Sequence, residues 1–393
     1  MSELVVLPML APLESLQLSR ELDGRTGTNR AIGNRPQIAA ATDVEALRAW
    51  LARVADVRPT FDTYRKEAER LVLWSVIERG KPLSSLGHED LLIYQRFLAD
   101  PQPADRWVMP PGRRRARADA HWRPFAGALA PTSQRQAMVI LNAMFAWLVS
   151  AGYLAGNPLS LSRQRQRQAK PRITRMLEQE LWWEVRCAIV AMPHETERQR
   201  QHYSRVRWLF SLLYICGLRI SEVTQNSMGA FFPQRDQLGV ERWWLEITGK
   251  GAKTRLIPAT SELMVELARY RREHALPPCP LAGESIPLIL PIGGQPRALT
   301  RSAVHAIVKQ VFAMTARHIH AQGPQHAVRA ALLAQASAHW LRHTAASNMS
   351  NTMDLKHVRD NLGHVSIATT SRYLHSADDL RHEQTQTHHR LGW

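Results

Sequence analysis

Cysteine is scarce in this chain: three in 393 residues, at Cys187, Cys216 and Cys279, too widely spaced for a CxxC pair. That argues against a structural zinc site or a redox motif and suits reduced thiols in a cytosolic protein. No apolar run approaches the ~20 residues that cross a bilayer. The opening MSELVVLPMLAPLESLQ has a short apolar patch, but Glu3 precedes it and neither a basic segment nor a small-residue cleavage site frames it, so no secretory signal is expected. HExxH and GxxxxGKS/T are missing, as is an evident acidic cluster for two divalent ions. The chemistry to look for is therefore metal-free and nucleotide-free, with no cofactor.

Acidic residues are outnumbered. With 51 Lys and Arg against 34 Asp and Glu the formal charge is +17 and the pI about 10.6. Such a balance calls for a polyanionic partner, nucleic acid or an anionic membrane surface, and without a spanning segment the membrane reading loses its simplest support. The length exceeds the usual size of one hydrophobic core, so two domains are expected.

Residues 1–37 mix in Gly, Arg, Asn and Pro (GRTGTNRAIGNRPQ) without period and are read as a flexible N-terminal arm. From residue 38 to 160 the pattern is helical. Thr42 and Glu45 form a capping-box pair ahead of Ala46, Leu47, Trp50 and Leu51. Phe61, Tyr64, Ala68, Leu71 and Trp74 mark a second helix, and Ile140, Leu141, Met144, Phe145 and Leu148 a third that begins near Ser133 and stops at AGYLAGNP. An insert near 100–130, rich in Pro and Arg, interrupts this bundle; its Arg113, Arg114, Arg115 and Arg117 suit a solvated loop and a phosphate grip equally well.

Residues 161–176 hold Arg163, Arg165, Arg167, Lys170, Arg172 and Arg175 with almost no apolar side chain, the composition of an interdomain linker that would lie along a duplex. Residues 177–393 form the second expected domain. It is mostly helical, but ERWWLEITGKGAKTRLIPA reads as two strands: Trp244, Glu246 and Thr248 share one face, Leu245 and Ile247 the other, and Gly249 to Gly251 turn the chain.

Four short stretches of this second domain carry reactive side chains: GLRISEV (217–223), TGKGAKTRLIP (248–258), HWLRHT (339–344) and LGHVSIATTSRY (362–373). Each has a bland reading alone. Arg219 pairs with Glu222, Lys250 fills a turn, His339 and Arg342 edge a helix, His364 caps one, and Tyr373 is a core aromatic. Together they suit attack by a side chain on a phosphodiester. Two guanidiniums, Arg219 and Arg342, stabilise charge on the non-bridging oxygens. Lys250 protonates the leaving alkoxide and His364 donates a further hydrogen bond to the phosphate. Tyrosine, with a pKa near ~10, is only about 0.1% ionised at neutral pH, so Tyr373 as nucleophile needs a base, for which His339 is the candidate.

In their wording and order these stretches resemble the tyrosine recombinase, or phage integrase, family. The resemblance is strong over residues 205–376 and weaker over 40–160, where FAWLVSAGYLAGNPL looks like the family's core-binding domain. It implies a mainly α fold with a small β-sheet: a helical, SAM-like core-binding domain and a mixed α/β catalytic domain, closing on DNA as a C-shaped clamp. It implies that Arg219, Lys250, His339, Arg342 and His364 activate a phosphate, and that Tyr373 becomes joined to a DNA 3′-phosphate and frees a 5′-hydroxyl. The expected partners are double-stranded DNA recombination sites and other copies of the chain, four on two sites, with accessory proteins possible and no membrane. The expected role is integrase or transposase of a mobile element, cytoplasmic and nucleoid-associated. Two alternatives share much of the pattern: a type IB topoisomerase-like enzyme, and a DNA-binding regulator that does not cleave.

Overall fold

The computed structural model of the chain describes residues 10–31, 37–110, 112, 115–162, 175–249, 251, 253–293 and 295–364. Lys250, Tyr373, Arg113, Arg114, Arg163, Arg165, Arg167, Lys170 and Arg172 lie outside the described residues. The described residues are mainly helical with one three-stranded sheet. The chain divides into two compact units, Met1–Arg167 and Gln168–Trp393, and the division falls inside the stretch read as a linker.

The first unit contains α1 (Asp43–Ala52), α2 (Arg58–Glu78), α3 (His88–Ala99), α4 (Ala104–Trp107) and α5 (Pro131–Ser150). The capping box of α1 is formed: Glu45 N–H donates to the Thr42 hydroxyl at 3.3 Å and Thr42 N–H to Glu45 Oε2 at 3.1 Å. The apolar faces of α1, α2 and α5 bury Leu47, Trp50, Leu71, Trp74, Leu141, Phe145 and Leu148 in one core. Tyr64 is only partly buried and stacks on Trp50 with ring centroids 5.1 Å apart. The third helix begins two residues ahead of Ser133, because Pro131 takes the first helical position, where a missing N–H costs nothing.

Two expectations for this unit need correcting. The described part of residues 1–37 is packed: Leu13 and Leu16 are buried in the core, Leu13 N–H donates to Glu69 Oε2 at 2.8 Å, and Arg30 pairs with Leu154 across an isolated bridge. A stretch without period thus gains its order from two buried leucines and backbone hydrogen bonds rather than from a regular element. The Pro- and Arg-rich insert is likewise folded. Trp107 and Phe125 are fully buried, stand edge-on to Phe97 at 5.1 and 5.7 Å, and are tied together by Phe125 N–H donating to Trp107 O at 3.2 Å. Arg117 is committed internally, to Glu69 Oε1 at 2.9 Å and Glu14 Oε2 at 2.7 Å, whereas Arg115 makes a long contact of 3.4 Å to Asp119 and stays half exposed.

The second unit runs α6 (Gln179–Val190), α7 (Glu197–Tyr214), α8 (Ile220–Gln225), then an antiparallel sheet of β1 (Phe231–Arg235), β2 (Glu241–Thr248) and β3 (Thr254–Ala259) in that order. It continues with α9 (Ser261–Arg272), α10 (Arg301–Ala321), α11 (Ala327–Gln335), α12 (Ala338–Thr352) and α13 (Leu355–Leu362). β2 alternates as its sequence predicts, with Leu245 and Ile247 buried and Glu246 and Thr248 exposed. Its partner β1 has no such alternation and contains Pro233, which an edge strand tolerates.

The core of this unit gathers Trp208, Leu209, Leu212 and Leu213 of α7 with Leu245, Ile257, Leu267, Val308, Phe312 and Leu341. The extended stretch after α9 is anchored to it: Trp208 Nε1–H donates to Leu288 O at 2.7 Å, and the buried Arg271 pairs with Glu284. Among the described residues no helix is long and apolar enough to cross a membrane, and all three cysteines are free thiols.

Candidate active site

The site is built where three chain reversals meet. The chain leaves α7 through Gly217, whose φ of +58° belongs to the left-handed region that glycine enters without strain. The turn delivers Arg219 to the N-cap of α8 and Glu222 to its first turn. Gly363, with φ of +64°, ends α13 in the same way and sets His364 just beyond it. The third reversal, at Gly249 and Gly251, joins β2 to β3 and contains position 250.

Glu222 is the centre of the arrangement. Its carboxylate is 1% exposed, accepts the backbone N–H of Arg219 at 2.8 Å on Oε2 and Arg219 Nη1 at 2.9 Å on Oε1. Arg255 of β3 forks onto the same two oxygens, both at 2.9 Å. Arg342 Nη1 stands 4.0 Å away. Burial pushes the Glu222 acid up, but hydrogen bonds and charge from Arg255, the Arg219 N–H and the charge of Arg342 outweigh it and hold the carboxyl at about 2. Glu222 is therefore an anion at any ordinary pH.

Arg342, on α12, is 2% exposed and donates to the carbonyls of Gly217, at the first reversal, and of Leu362, just before the Gly363 reversal. A guanidinium is the one side chain able to fork across two such carbonyls while keeping its charge. Arg219 is more open, with 42% of its side chain exposed.

Three histidines stand in the same electrostatic field. His339 is held below the ordinary imidazole range by burial and by the charges of Arg342, Arg219 and Arg175. His343, one turn along α12, is pushed down to about 4 by burial, His339 and the nearby arginines. His364 is also lowered to about 4, by burial and then by Arg342, Arg219, Arg255 and His343. Each shift favours the neutral imidazole over the charged one.

The structure thus brings Arg219 and Arg342 to one buried carboxylate and sets His339 and His364 within the field of both arginines. Lys250 and Tyr373 lie outside the described residues, and so do most of the arginines expected to touch DNA. Sequence reasoning passed over Arg255 and His343 and took Glu222 only as a local partner of Arg219. For Glu222 the signal was present, since an acid three residues after an N-cap is a capping box. Arg255 gave none: its partners are 33 and 106 residues away in sequence.

Residues 188–379 match the phage integrase family model, a span that includes all six residues predicted to react. The tyrosine recombinase XerC of Xanthomonas axonopodis pv. citri is 26% identical over 323 residues, 80% of this chain and 86% of its own. XerD of Brucella abortus is 28% identical over 272 residues, 68% and 79% of the two chains. In fold the chain is similar to the XerH site-specific recombinase bound to difH substrate, with a TM-score of 0.60 and 16% identity over 97% of this chain and 99% of that one. It is also similar to the Tn1549 transposon integrase in complex with transposon right end DNA, with a TM-score of 0.55 and 14% identity over 88% and 98%. Residues 188–379 thus carry a phage integrase family domain, and the relatives the chain resembles over most of its length are tyrosine recombinases.

Proposed function

We propose that this protein is a tyrosine recombinase that exchanges DNA strands between two sites through a 3′-phosphotyrosyl linkage on Tyr373. The observation that carries the reading is the meeting of Arg219 and Arg342 at Glu222, with His339 and His364 within the field of both arginines, from separate parts of the chain. In the proposed reaction the Tyr373 oxygen attacks phosphorus as its proton passes to the neutral His339, and the bond from phosphorus to the 5′-oxygen breaks. The departing 5′-oxygen takes a proton from Lys250. Arg219, Arg342 and His364 hold the charge that grows on the non-bridging oxygens. The ester keeps the energy of the broken bond, so a 5′-hydroxyl from a second duplex can reverse the step without ATP.

In this reading the partners are double-stranded DNA sites, four copies of the chain act on two sites, and accessory proteins assist. Arg113, Arg114, Arg115, Arg163, Arg165, Arg167, Lys170 and Arg172 supply phosphate contacts, which position the protein without reading sequence. The biological role is integration or transposition of a mobile element, in the compartment that holds the DNA.

The test uses nicked duplexes from the DNA flanking the protein's own gene. A nick beside the cleavage position lets the released strand diffuse away, so a denaturant-resistant adduct accumulates. Adduct with the wild type and none with Tyr373→Phe is the expected result; an equal adduct with Tyr373→Phe overturns the assignment. Supercoil relaxation without exchange between sites would favour the topoisomerase-like alternative, and salt-sensitive binding without any adduct the regulator.

A further inference from the structure

We propose that Arg255 is a positioning residue for strand cleavage: by occupying both oxygens of Glu222, it keeps that carboxylate from drawing Arg219 and Arg342 off the phosphate. The inference rests on the reaction proposed above.

Arg255 does not reach a substrate. Its side chain is 11% exposed and its guanidinium is used up inside, with Nη1 and Nη2 on Glu222 at 2.9 Å and Nε on Asn361 O at 2.9 Å. What it touches is informative. Glu222 leads to Arg219 through two hydrogen bonds. Asn361 precedes the Gly363 reversal that sets His364, and a Cβ on Gly363 would lie 2.8 Å from Arg255 Cδ. Arg255 itself pairs with Ile247 across the hairpin whose turn contains position 250. One side chain therefore fixes the hairpin, the N-cap arginine and the histidine-bearing reversal relative to one another.

The charge balance gives the reason. Among these groups three guanidiniums face one carboxylate, a net charge of +2. A carboxylate offers about four acceptor directions, and Arg255 and Arg219 take two each. Without Arg255, two directions on a buried anion are left empty. The nearest donors are then the rest of the Arg219 guanidinium and Arg342 Nη1 at 4.0 Å. Arg219, the more exposed of the two, would turn inward and the buried Arg342 would shift toward the carboxylate, both away from a bound phosphate, because an unpaired buried charge is costly. Lysine is a poor replacement, having a single point of charge and no fork.

Three full-length variants test this: Arg255→Met, Arg255→Lys, and Arg255→Met combined with Glu222→Gln, which removes the anion along with its counter-charge. Single-turnover cleavage is read on the nicked duplex that gives adduct with the wild type, and affinity on the same duplex. Arg255→Met is expected to slow cleavage at least about tenfold with affinity held within about threefold, as for a misplaced catalytic group. Arg255→Lys should stay slow, and Glu222→Gln in the Arg255→Met background should restore several-fold of the lost rate. A purely structural role would lower the melting temperature without that recovery. Cleavage by Arg255→Met within about twofold of wild type, or a double variant no faster than the single one, overturns the inference.

NMR titration of His364 supplies a readout that needs no cleavage. Loss of the Arg255 charge should move its pKa upward from about 4. A wild type that forms no adduct sinks the proposed reaction alone, whereas an unmoved His364 titration sinks the inference about Arg255.

Discussion

His343 stands edge-on to His339, with ring centroids 4.2 Å apart and planes at 74°, one turn apart on α12. Neither ring gains a proton easily beside the other and beside Arg342. The ordinary imidazole value is 6.5, while His343 and His364 in the folded protein resist protonation to about 4. Between those values the unfolded chain binds more protons, so folding stability is fully present above about pH 6.5 and falls as pH drops toward 4. Urea midpoints measured across that window should decline with pH, and His343→Gln should decline less steeply than wild type. A slope unchanged by His343→Gln would contradict the assignment.

Much of this arrangement was legible, and the remainder was hidden for physical reasons. Thr42 with Glu45, the apolar spacing of α2 and α5, and the alternation around Leu245 and Ile247 are local patterns, and each gave its element. The insert misled because Pro and Arg dominate its composition, while its order comes from Trp107 and Phe125 reaching a core built elsewhere. β1 escaped because five residues with a proline carry no period. At the site, Arg219, His339, Arg342 and His364 were named from motif order; Arg255 was not, because a charged residue in a strand looks solvent-facing until its distant partner is known.

Gly217→Ala should destabilise the second unit. A left-handed φ of +58° costs a non-glycine residue about 1–2 kcal/mol, and the added Cβ would sit 2.7 Å from Leu362 Cδ2. The Gly217 carbonyl is also one of the two that hold Arg342. A lower melting temperature, with a loss of adduct formation larger than the loss of folded protein, is the expected outcome.

Arg342→Lys should abolish adduct formation while leaving DNA affinity nearly intact. The buried guanidinium spans the carbonyls of Gly217 and Leu362, and an ammonium has no fixed fork with which to hold both. Single-turnover cleavage and a binding titration on one duplex check it; a variant with wild-type cleavage would remove Arg342 from the phosphate-binding role.

Tyr153→Phe tests the first unit. The Tyr153 hydroxyl donates to Asp43 Oδ1 at 2.8 Å, and Asp43, 1% exposed, also accepts the Ser84 N–H at 3.0 Å. Burial raises the Asp43 acid, so each donor matters to keeping it charged. Removing the hydroxyl should cost about 1–3 kcal/mol in urea unfolding followed by tryptophan fluorescence, with adduct formation by the remaining folded protein unchanged.

Arg342 reaches the carbonyl of a residue 125 positions earlier and of another 20 positions later, and Arg255 joins partners 33 and 106 positions apart from it. Contacts that close such long loops repay their chain entropy only after the local helices exist. In the time order of folding, the helices of the second unit are expected first and the arginine clasp among the last events. A partly folded chain would then carry the four motifs before it carries the clasp that joins them.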